Sequence, residues 1–288
     1  MAAVPHFAST DPQRNDPFDA AAGALASRFC VFHAALGALR GLVLHVHPFA
    51  EEMNKSRRMA ALQSRALAAA GFAVLQFDLL GCGDSAGDFG DATWDHWKAD
   101  TAWAAGYLRD RAGAPVSTTL WLWGHRVGAL LAAQAADDIA AATGSAPSLL
   151  LWQPSGSGKT ALQQFLRLKA AAEMLDRGSK GVIASLKLEL SAGRPVEVAG
   201  YRLHAAMAAG LEAATLAPPR HTARVVWLEV ALGEAPELLP ASRLALERWR
   251  KAGWAVDAAT VPGPAFWQTT EIEDAPALVE RSLQALAA

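Results

Sequence analysis

The sequence has little cysteine, little net charge and no long apolar run, and each shortage excludes a class of protein. Two cysteines, Cys30 and Cys82, occur among 288 residues, so a disulfide framework is excluded and a reducing compartment is favoured. A net charge of −2 gives no general attraction to nucleic acid or acidic membranes. No apolar run reaches the roughly 18–20 residues of a membrane span, and no signal-peptide pattern is present. These absences predict a globular cytoplasmic protein without a nucleic-acid partner.

Spacings typical of metal and nucleotide sites are also lacking. No His-x-x-x-His or Cys-x-x-Cys pair occurs, so we predict neither a metal site nor a cofactor. The string Ser-Gly-Ser-Gly-Lys-Thr at 155–160 is similar to the end of a P-loop. The full pattern requires glycine five residues before Gly158, and that residue is Gln153. Nucleotide binding through Gly156–Thr160 is therefore a remote alternative, although Lys159 remains a candidate for lining a pocket.

What the sequence does contain is an alternation of short apolar strands with helical runs of 10–15 residues. This alternation predicts βαβ units and a mostly parallel sheet flanked by helices. Residues 1–26 carry proline and polar residues, and predict a loosely ordered lead-in. Residues 27–154 and 223–288 predict the α/β core. Strand signals are sparse in residues 155–222, which predict a helical cap inserted over the carboxyl edge of the sheet.

The chain is organised around residues 117–133, where a buried strand runs through a sharp turn into a helix. Gly124 and Gly128 flank the turn, because strand and helix come too close there for side chains. The pattern Gly-x-Ser-x-Gly in such a turn is that of the nucleophile elbow of α/β-hydrolases. Here Arg126 stands at the tip in place of serine. The sequence thus predicts the architecture of a hydrolase without its nucleophile.

Four segments resemble the second of two exosortase A system-associated hydrolase families. They are His-Pro-Phe-Ala-Glu-Glu-Met-Asn-Lys-Ser-Arg-Arg at 47–58, Asp-Leu-Leu-Gly-Cys-Gly-Asp-Ser-Ala-Gly-Asp-Phe at 78–89, Trp-Gln-Pro at 152–154 and Phe-Trp-Gln at 266–268. The resemblance implies an α/β-hydrolase fold in bacteria that export exopolysaccharide and sort PEP-CTERM proteins by exosortase. It also implies a protein partner in that system. The missing elbow serine is, by the same resemblance, shared with this group.

Two of the three positions of a serine triad are empty. In this fold the chain order is serine, acid, histidine, with the histidine after the last strand. Arg126 fills the first position, Glu229 is a candidate acid late in its strand, and no histidine follows His221. Losing nucleophile or base costs several orders of magnitude in rate. Serine hydrolysis by the usual route is therefore not expected.

Arg126 at a helix N-terminus needs a negative partner, because the helix dipole there disfavours a cation. One interpretation is an ion pair with Glu51, Glu52, Asp84 or Glu229, and the other is a bound anion. A different nucleophile is a third possibility, either Cys82 paired with His47 or Ser85. The alternative for His47 is that it holds the conformation of its loop.

These alternatives give two hypotheses about function. The leading one is a non-catalytic or non-standard ligand-binding or accessory protein in exosortase-linked surface assembly, with a small anionic or acyl ligand. The second is an ester or thioester hydrolase or acyltransferase with an unrecognised nucleophile. Ligands bind beyond the carboxyl ends of the strands in such sheets. The predicted pocket residues are His47, Glu51, Glu52, Asp84, Arg126, Gln153, Lys159 and Trp267.

Overall fold

The computed structural model of the chain describes residues 3–11, 25–174, 181–233 and 236–287. The strands are β1 (Val4–Ser9), β2 (Ser27–His33), β3 (Gly41–Val46), β4 (Phe72–Phe77), β5 (Leu120–His125), β6 (Ser148–Trp152), β7 (Val196–Val198), β8 (Tyr201–Leu203), β9 (Arg224–Ala231) and β10 (Ala255–Pro262). The helices are α1 (Glu51–Ala69), α2 (Trp94–Arg111), α3 (Val127–Thr143), α4 (Gly158–Met174), α5 (Val182–Ser191), α6 (Ala205–Ala213), α7 (Pro240–Lys251) and α8 (Pro276–Ala287).

One large sheet carries the fold. Within the described ranges, its strand order is β1-β2-β4-β3-β5-β6-β9-β10, and β7 pairs only with β8 in a separate hairpin. β2 runs antiparallel to both of its neighbours, and every other pair in the large sheet is parallel. The mostly parallel sheet that the sequence predicts is therefore confirmed.

Two apolar clusters cover the two faces of the sheet. On β5, Leu120 and Leu122 belong to the cluster beneath α2 and α3, whereas Trp121 and Trp123 belong to the cluster beneath α1 and α8. Alternation along one strand sends successive side chains to opposite faces. Because both faces are covered by helices, the central strands β3, β5 and β6 are buried along their whole length.

The turn between β5 and α3 needs both of its glycines. A Cβ atom on Gly128 would lie 2.2 Å from the carbonyl oxygen of Val46, and one on Gly124 would lie 2.5 Å from Cα of Ala129. Both distances are shorter than non-bonded atoms tolerate, so the backbones approach closely only without side chains. β5 ends at His125 and α3 begins at Val127, which leaves one residue for the turn.

The prediction of a loosely ordered lead-in is wrong for part of its length. Val4–Ser9 form β1, which pairs with β2 along all six residues. The polar and proline residues around this segment gave no strand pattern. The strand is held by backbone hydrogen bonds and by His6, whose Nε2 lies 2.6 Å from the hydroxyl of Tyr107. Residues 1, 2 and 12–24 lie outside the described residues.

Helix α1 begins at Glu51, six residues before Arg57, where apolar residues at helical spacing begin in the sequence. Ala50 turns the chain with a φ of 52°, and Glu51 and Glu52 form the first helical turn. These two residues are acidic and so add nothing to an apolar pattern, yet carboxylates are favourable at a helix N-terminus. Because α1 begins this early, both glutamates lie on a rigid helix.

Within the described residues, three helices and the β7–β8 hairpin lie between β6 and β9, in the segment predicted as a cap. The leucines of α5 alternate at Leu186, Leu188 and Leu190, which is not helical spacing. Only Leu186 and Leu190, four residues apart, are buried, whereas Leu188 is largely exposed. A short helix with one buried stripe therefore gave no helical signal.

Candidate functional site

Arg126 occupies the tip of the turn between β5 and α3. Its φ of 56° and ψ of −117° lie in a region that residues other than glycine rarely adopt. Backbone hydrogen bonds fix it there, since its N–H donates to the oxygen of Trp152 at 3.0 Å and its own oxygen accepts from Ser155 at 3.2 Å. The strained turn of a nucleophile elbow is thus built around an arginine.

The guanidinium group of Arg126 contacts a carboxylate, an amide and an aromatic ring. Nε lies 3.3 Å from each carboxylate oxygen of Glu52, and Nη2 lies 3.2 Å from Oε1 of Glu52. Nη2 also donates to Oε1 of Gln164 on α4 at 3.2 Å. The Cζ atom lies 5.5 Å from the ring centre of Trp267, within the range of a cation–π contact. Of the four carboxylates considered from sequence, Glu52 is the one that pairs with Arg126.

A cleft of about 340 Å³ opens beside this group, between the carboxyl edge of the sheet and α4. Four residues expected in a pocket line it, namely Glu51, Glu52, Arg126 and Trp267. Its other lining residues are Phe49, Lys55, Val127, Ala161, Gln164, Phe165, Leu168 and Gln268. The volume falls in the roughly 300–1,000 Å³ range of small-molecule sites.

Burial sets the electrostatics of the two glutamates in the cleft. Desolvation raises the pKa of Glu52, and the neighbouring Arg126 offsets only part of that rise. Desolvation also raises the pKa of Glu51, whose Oε2 atom is buried without a hydrogen-bond partner in the structure. Both carboxylates are therefore partly removed from water, which makes them harder to ionise and weakens their neutralisation of the Arg126 charge.

His47 lies behind the cleft rather than in it. Its Nδ1 lies 2.8 Å from the carbonyl oxygen of Pro48, and its Nε2 accepts a hydrogen bond from the N–H of Leu79 at 3.2 Å. These partners assign the proton to Nδ1. Burial lowers the pKa of His47, and the side chain lines a separate cavity of about 30 Å³ with Asp78. Both ring nitrogens thus hold the loops that follow β3 and β4.

The two candidate nucleophiles are tied into the loop after β4. Burial raises the pKa of the Cys82 thiol, which keeps it protonated. The hydroxyl of Ser85 donates to the carbonyl oxygen of Asp78 and accepts from the N–H of Phe29 at 2.9 Å. Neither residue lines the cleft around Arg126. Their surroundings are those of packed structural residues.

Three further candidate residues, Glu229, Gln153 and Asp84, do not line the cleft. Glu229 is buried, with one carboxylate oxygen accepting from Nε1 of Trp227 and the other from the N–H of Leu239, both at 3.0 Å. Gln153 has a φ of 40°, and its Oε1 accepts from the N–H of Val230 at 2.7 Å. Asp84 is exposed and donates its N–H to Asp78. The structure brings none of these three into the cleft.

The glycine-rich string at the start of α4 is used in packing. The N–H of Gly158 donates to the oxygen of Ala214 at 2.9 Å, and the oxygen of Gly156 accepts from Leu216 at 3.1 Å. A Cβ atom on Gly158 would lie 1.8 Å from the oxygen of Leu211. Lys159 is exposed and does not line the cleft. Gly158 therefore serves close backbone packing, and its N–H is not available to a phosphate.

Several cleft residues were not predicted from the sequence. Ala161, Gln164, Phe165 and Leu168 share one face of α4, at positions i, i+3, i+4 and i+7. That spacing is visible in the sequence, but nothing there shows which helix face meets the elbow. Lys55 and Gln268 lie within segments that resemble the exosortase-associated family.

No cluster of three or more His, Cys, Asp or Glu side chains suited to a metal ion occurs within the described residues. Among the same residues, no helix combines the length and apolarity required to cross a bilayer.

Residues 37–228 match the family described as Serine aminopeptidase, S33 (Hydrolase_4). The chain belongs to this family. No curated protein matches the sequence significantly. The match to the S33 family is with the broad group, so the narrower exosortase-associated resemblance stays a prediction.

Solved structures similar to this S33-family chain are α/β-hydrolases with low sequence identity. Est1E from Butyrivibrio proteoclasticus, solved with ferulic acid bound, is 15% identical with a TM-score of 0.55, covering 90% of this chain and 92% of its own. The α/β-hydrolase GrgF from Penicillium sp. sh18 is 12% identical with a TM-score of 0.56, covering 99% and 98%. At such identities the likeness shows the fold alone, and that fold is the α/β-hydrolase fold.

Proposed function

We propose that this S33-family chain is a ligand-binding or accessory protein that does not use the serine route of hydrolysis. The observation that carries the proposal is the guanidinium group of Arg126, which stands at the tip of the elbow and faces the cleft. A guanidinium stays charged near neutral pH, so it neither attacks a carbonyl carbon nor accepts a proton. It does bind carboxylates and phosphates. The function supported best is capture of a small anionic or acyl ligand.

The base position supports the same proposal. The loop after β10, where this fold keeps its histidine, supplies Trp267 beside the side chain of residue 126. Histidine would activate a nucleophile there, whereas the indole of Trp267 only donates. Both carboxylate oxygens of Glu229, the remaining triad candidate, accept hydrogen bonds from Trp227 and Leu239. A nucleophile placed at position 126 would therefore lack an activating base.

The link to exosortase-dependent surface assembly is part of the proposal. Segments 47–58 and 266–268, which carry the resemblance to that family, supply half of the residues that line the cleft. If ligand capture serves export, deleting the protein from its host should lower exopolysaccharide export or the retention of sorted surface proteins. Re-expression of Arg126→Gln should fail to restore the phenotype, whereas Arg167→Gln, on the exposed side of α4, should restore it. Normal export in the deletion strain would argue against the link.

A hydrolysis screen tests the absence of serine chemistry. Purified protein is assayed against short- and long-chain aryl esters and acyl thioesters, beside Cys82→Ala, Ser85→Ala, Arg126→Ala and Arg126→Ser. We expect rates at the protein-free level throughout. Arg126→Ser is included because a serine without a base should not restore turnover. Turnover by the wild type that one alanine substitution abolishes would establish the enzyme alternative and identify its nucleophile.

A further inference from the structure

Arg126 has hydrogen-bonding capacity that the protein does not use. Its Nε and Nη2 atoms contact Glu52 and Gln164, whereas Nη1 has no acceptor among the described residues. The side chain is 13% exposed, so the group reaches the cleft while staying mostly desolvated. In such surroundings a charge-assisted hydrogen bond to a ligand is stronger than in water.

The internal partner of Arg126 is held loosely. Its distances to Glu52, 3.2–3.3 Å, exceed the roughly 2.7–2.9 Å of a well-formed ion pair. Elsewhere in this chain Arg28 binds Asp100 through two bonds of 2.8 and 2.9 Å. Glu52 therefore behaves as a weak internal occupant of the guanidinium group. A better-placed carboxylate would compete with it.

Apart from Gln164, which accepts a hydrogen bond from Arg126, the face of α4 that lines the cleft is apolar. Helix α4 contributes Ala161, Phe165 and Leu168, and Leu168 at the outer end is 38% exposed. Phe165 packs edge to face on Phe49, with ring centres 5.1 Å apart, so this wall is firmly supported. The cleft thus joins a cationic end to an apolar strip that leads to solvent.

Two helix N-termini beside Arg126 favour an anion, whereas the remaining ionisable side chains, Glu51 and Lys55, carry opposite charges. The first residues of α1 and α3, Glu51 and Val127, both line the cleft. Two helix N-termini there add positive potential to the guanidinium group. Lys55 lies three residues after Glu52 on α1, so its ammonium group can balance part of the negative charge of that carboxylate.

We infer that the cleft binds an amphipathic carboxylate, whose head group competes with Glu52 for Arg126 and whose chain lies along Phe165 and Leu168. The inference rests on the proposed function and specifies its ligand class. Two consequences follow from the competition. Removing the charge of Glu52 should tighten binding, and removing that of Arg126 should abolish the preference for a charged head group.

Isothermal titration with four probes tests the inference: decanoate, decanol with the same chain but no charge, acetate with the charge but no chain, and inorganic phosphate as a second small anion. We expect decanoate to bind more tightly than the other three. Arg126→Gln should weaken decanoate about tenfold or more, as the loss of a charged hydrogen bond implies. Glu52→Gln should tighten it several-fold, and Leu168→Gln should weaken decanoate without changing acetate. Arg167→Gln is the matched control and should change nothing.

The outcomes separate this inference from the proposed function. Equal affinity for acetate and decanoate, or binding of inorganic phosphate but not decanoate, would overturn the amphipathic ligand and leave anion capture standing. Weaker decanoate binding in Glu52→Gln would overturn the competition. Failure of acetate, phosphate and decanoate alike to bind the wild type would remove the proposed function as well.

Discussion

At Arg126 the backbone keeps the strained turn of a nucleophile elbow while the side chain cannot perform nucleophilic chemistry. The turn is maintained by glycines and by hydrogen bonds to β6 and the loop after it, none of which depends on the side chain at the tip. The geometry of the turn is therefore independent of the side chain at its tip. A cation there is tolerable because Glu52 and the ring of Trp267 lie against it.

We expect the ion pairs of this chain to contribute differently to the free energy of unfolding, according to their burial. Arg28 and Asp100 are almost fully buried, and Asp100 also accepts from the N–H of Leu80 at 2.8 Å. Arg58 and Asp274 form an equally short pair on the surface, where Arg58 is 55% exposed. Removing one partner strands a charge only in the buried case.

Asp100→Asn should therefore destabilise the protein by about 3–5 kcal/mol, because Arg28 is left as an uncompensated buried charge. Asp274→Asn is the matched control and should cost no more than about 1 kcal/mol. Urea denaturation followed by tryptophan fluorescence measures both. Equal losses would show that burial of Arg28 does not determine the strength of the pair.

At the scale of elements, the placement of α4 decides the shape of the cleft. The helix begins against the C-terminal end of α6, where Gly158 approaches the oxygen of Leu211 and its N–H donates to the oxygen of Ala214. The other end of the same glycine-rich string is open, since a Cβ atom on Gly156 would have no neighbour within 4 Å. One glycine is thus required by packing and the other is not.

Gly158→Ala should lower the free energy of unfolding by about 1–3 kcal/mol, because the added methyl group forces two backbone segments apart. Gly156→Ala, two residues away, should stay within about 0.5 kcal/mol of the wild type. Thermal unfolding by circular dichroism separates the two variants. Identical melting temperatures would contradict the close packing at Gly158.

At the scale of the whole molecule, the core encloses histidines that burial keeps neutral. His45 packs against Trp123 with ring centres 4.2 Å apart, and desolvation lowers its pKa to about 3. Desolvation also lowers the pKa of His47, and that of His125 falls well below its usual value. Lowering the pH therefore destabilises the folded protein through these buried histidines as well as through its surface carboxylates.

Between pH 6.5 and about 3, the unfolded chain binds a proton at His45 and the folded chain does not, so stability falls as the pH falls. At pH 5 the loss from this group is about 2 kcal/mol. Urea titrations at pH 7 and pH 5 measure it. His45→Asn should reduce the difference between the two pH values, whereas the exposed control His96→Asn should not. An unchanged difference in His45→Asn would show that His45 is protonated in the folded state.

The pattern of elements and the elbow were readable from the sequence, because apolar alternation and paired glycines are local consequences of a buried parallel sheet. The strands of the large sheet from β2 onward follow that logic, as does the turn at Gly124 and Gly128. β1 and α5 were not predicted, because a strand held mainly by backbone pairing and a short helix with one buried stripe leave weak apolar patterns in the sequence.

The composition of the cleft was decided by tertiary structure. Sequence position placed His47, Asp84, Gln153 and Lys159 near the carboxyl edge, but hydrogen bonds to the backbone or exposure to solvent kept them out. The selection of Glu52 as partner of Arg126 depended on where α1 begins, and the apolar wall depended on which face α4 turns inward. The sequence determined that arginine stands at the tip of the elbow, because that requires only residue identity. Which groups that arginine contacts depends on distances between segments far apart in the chain, which only packing fixes.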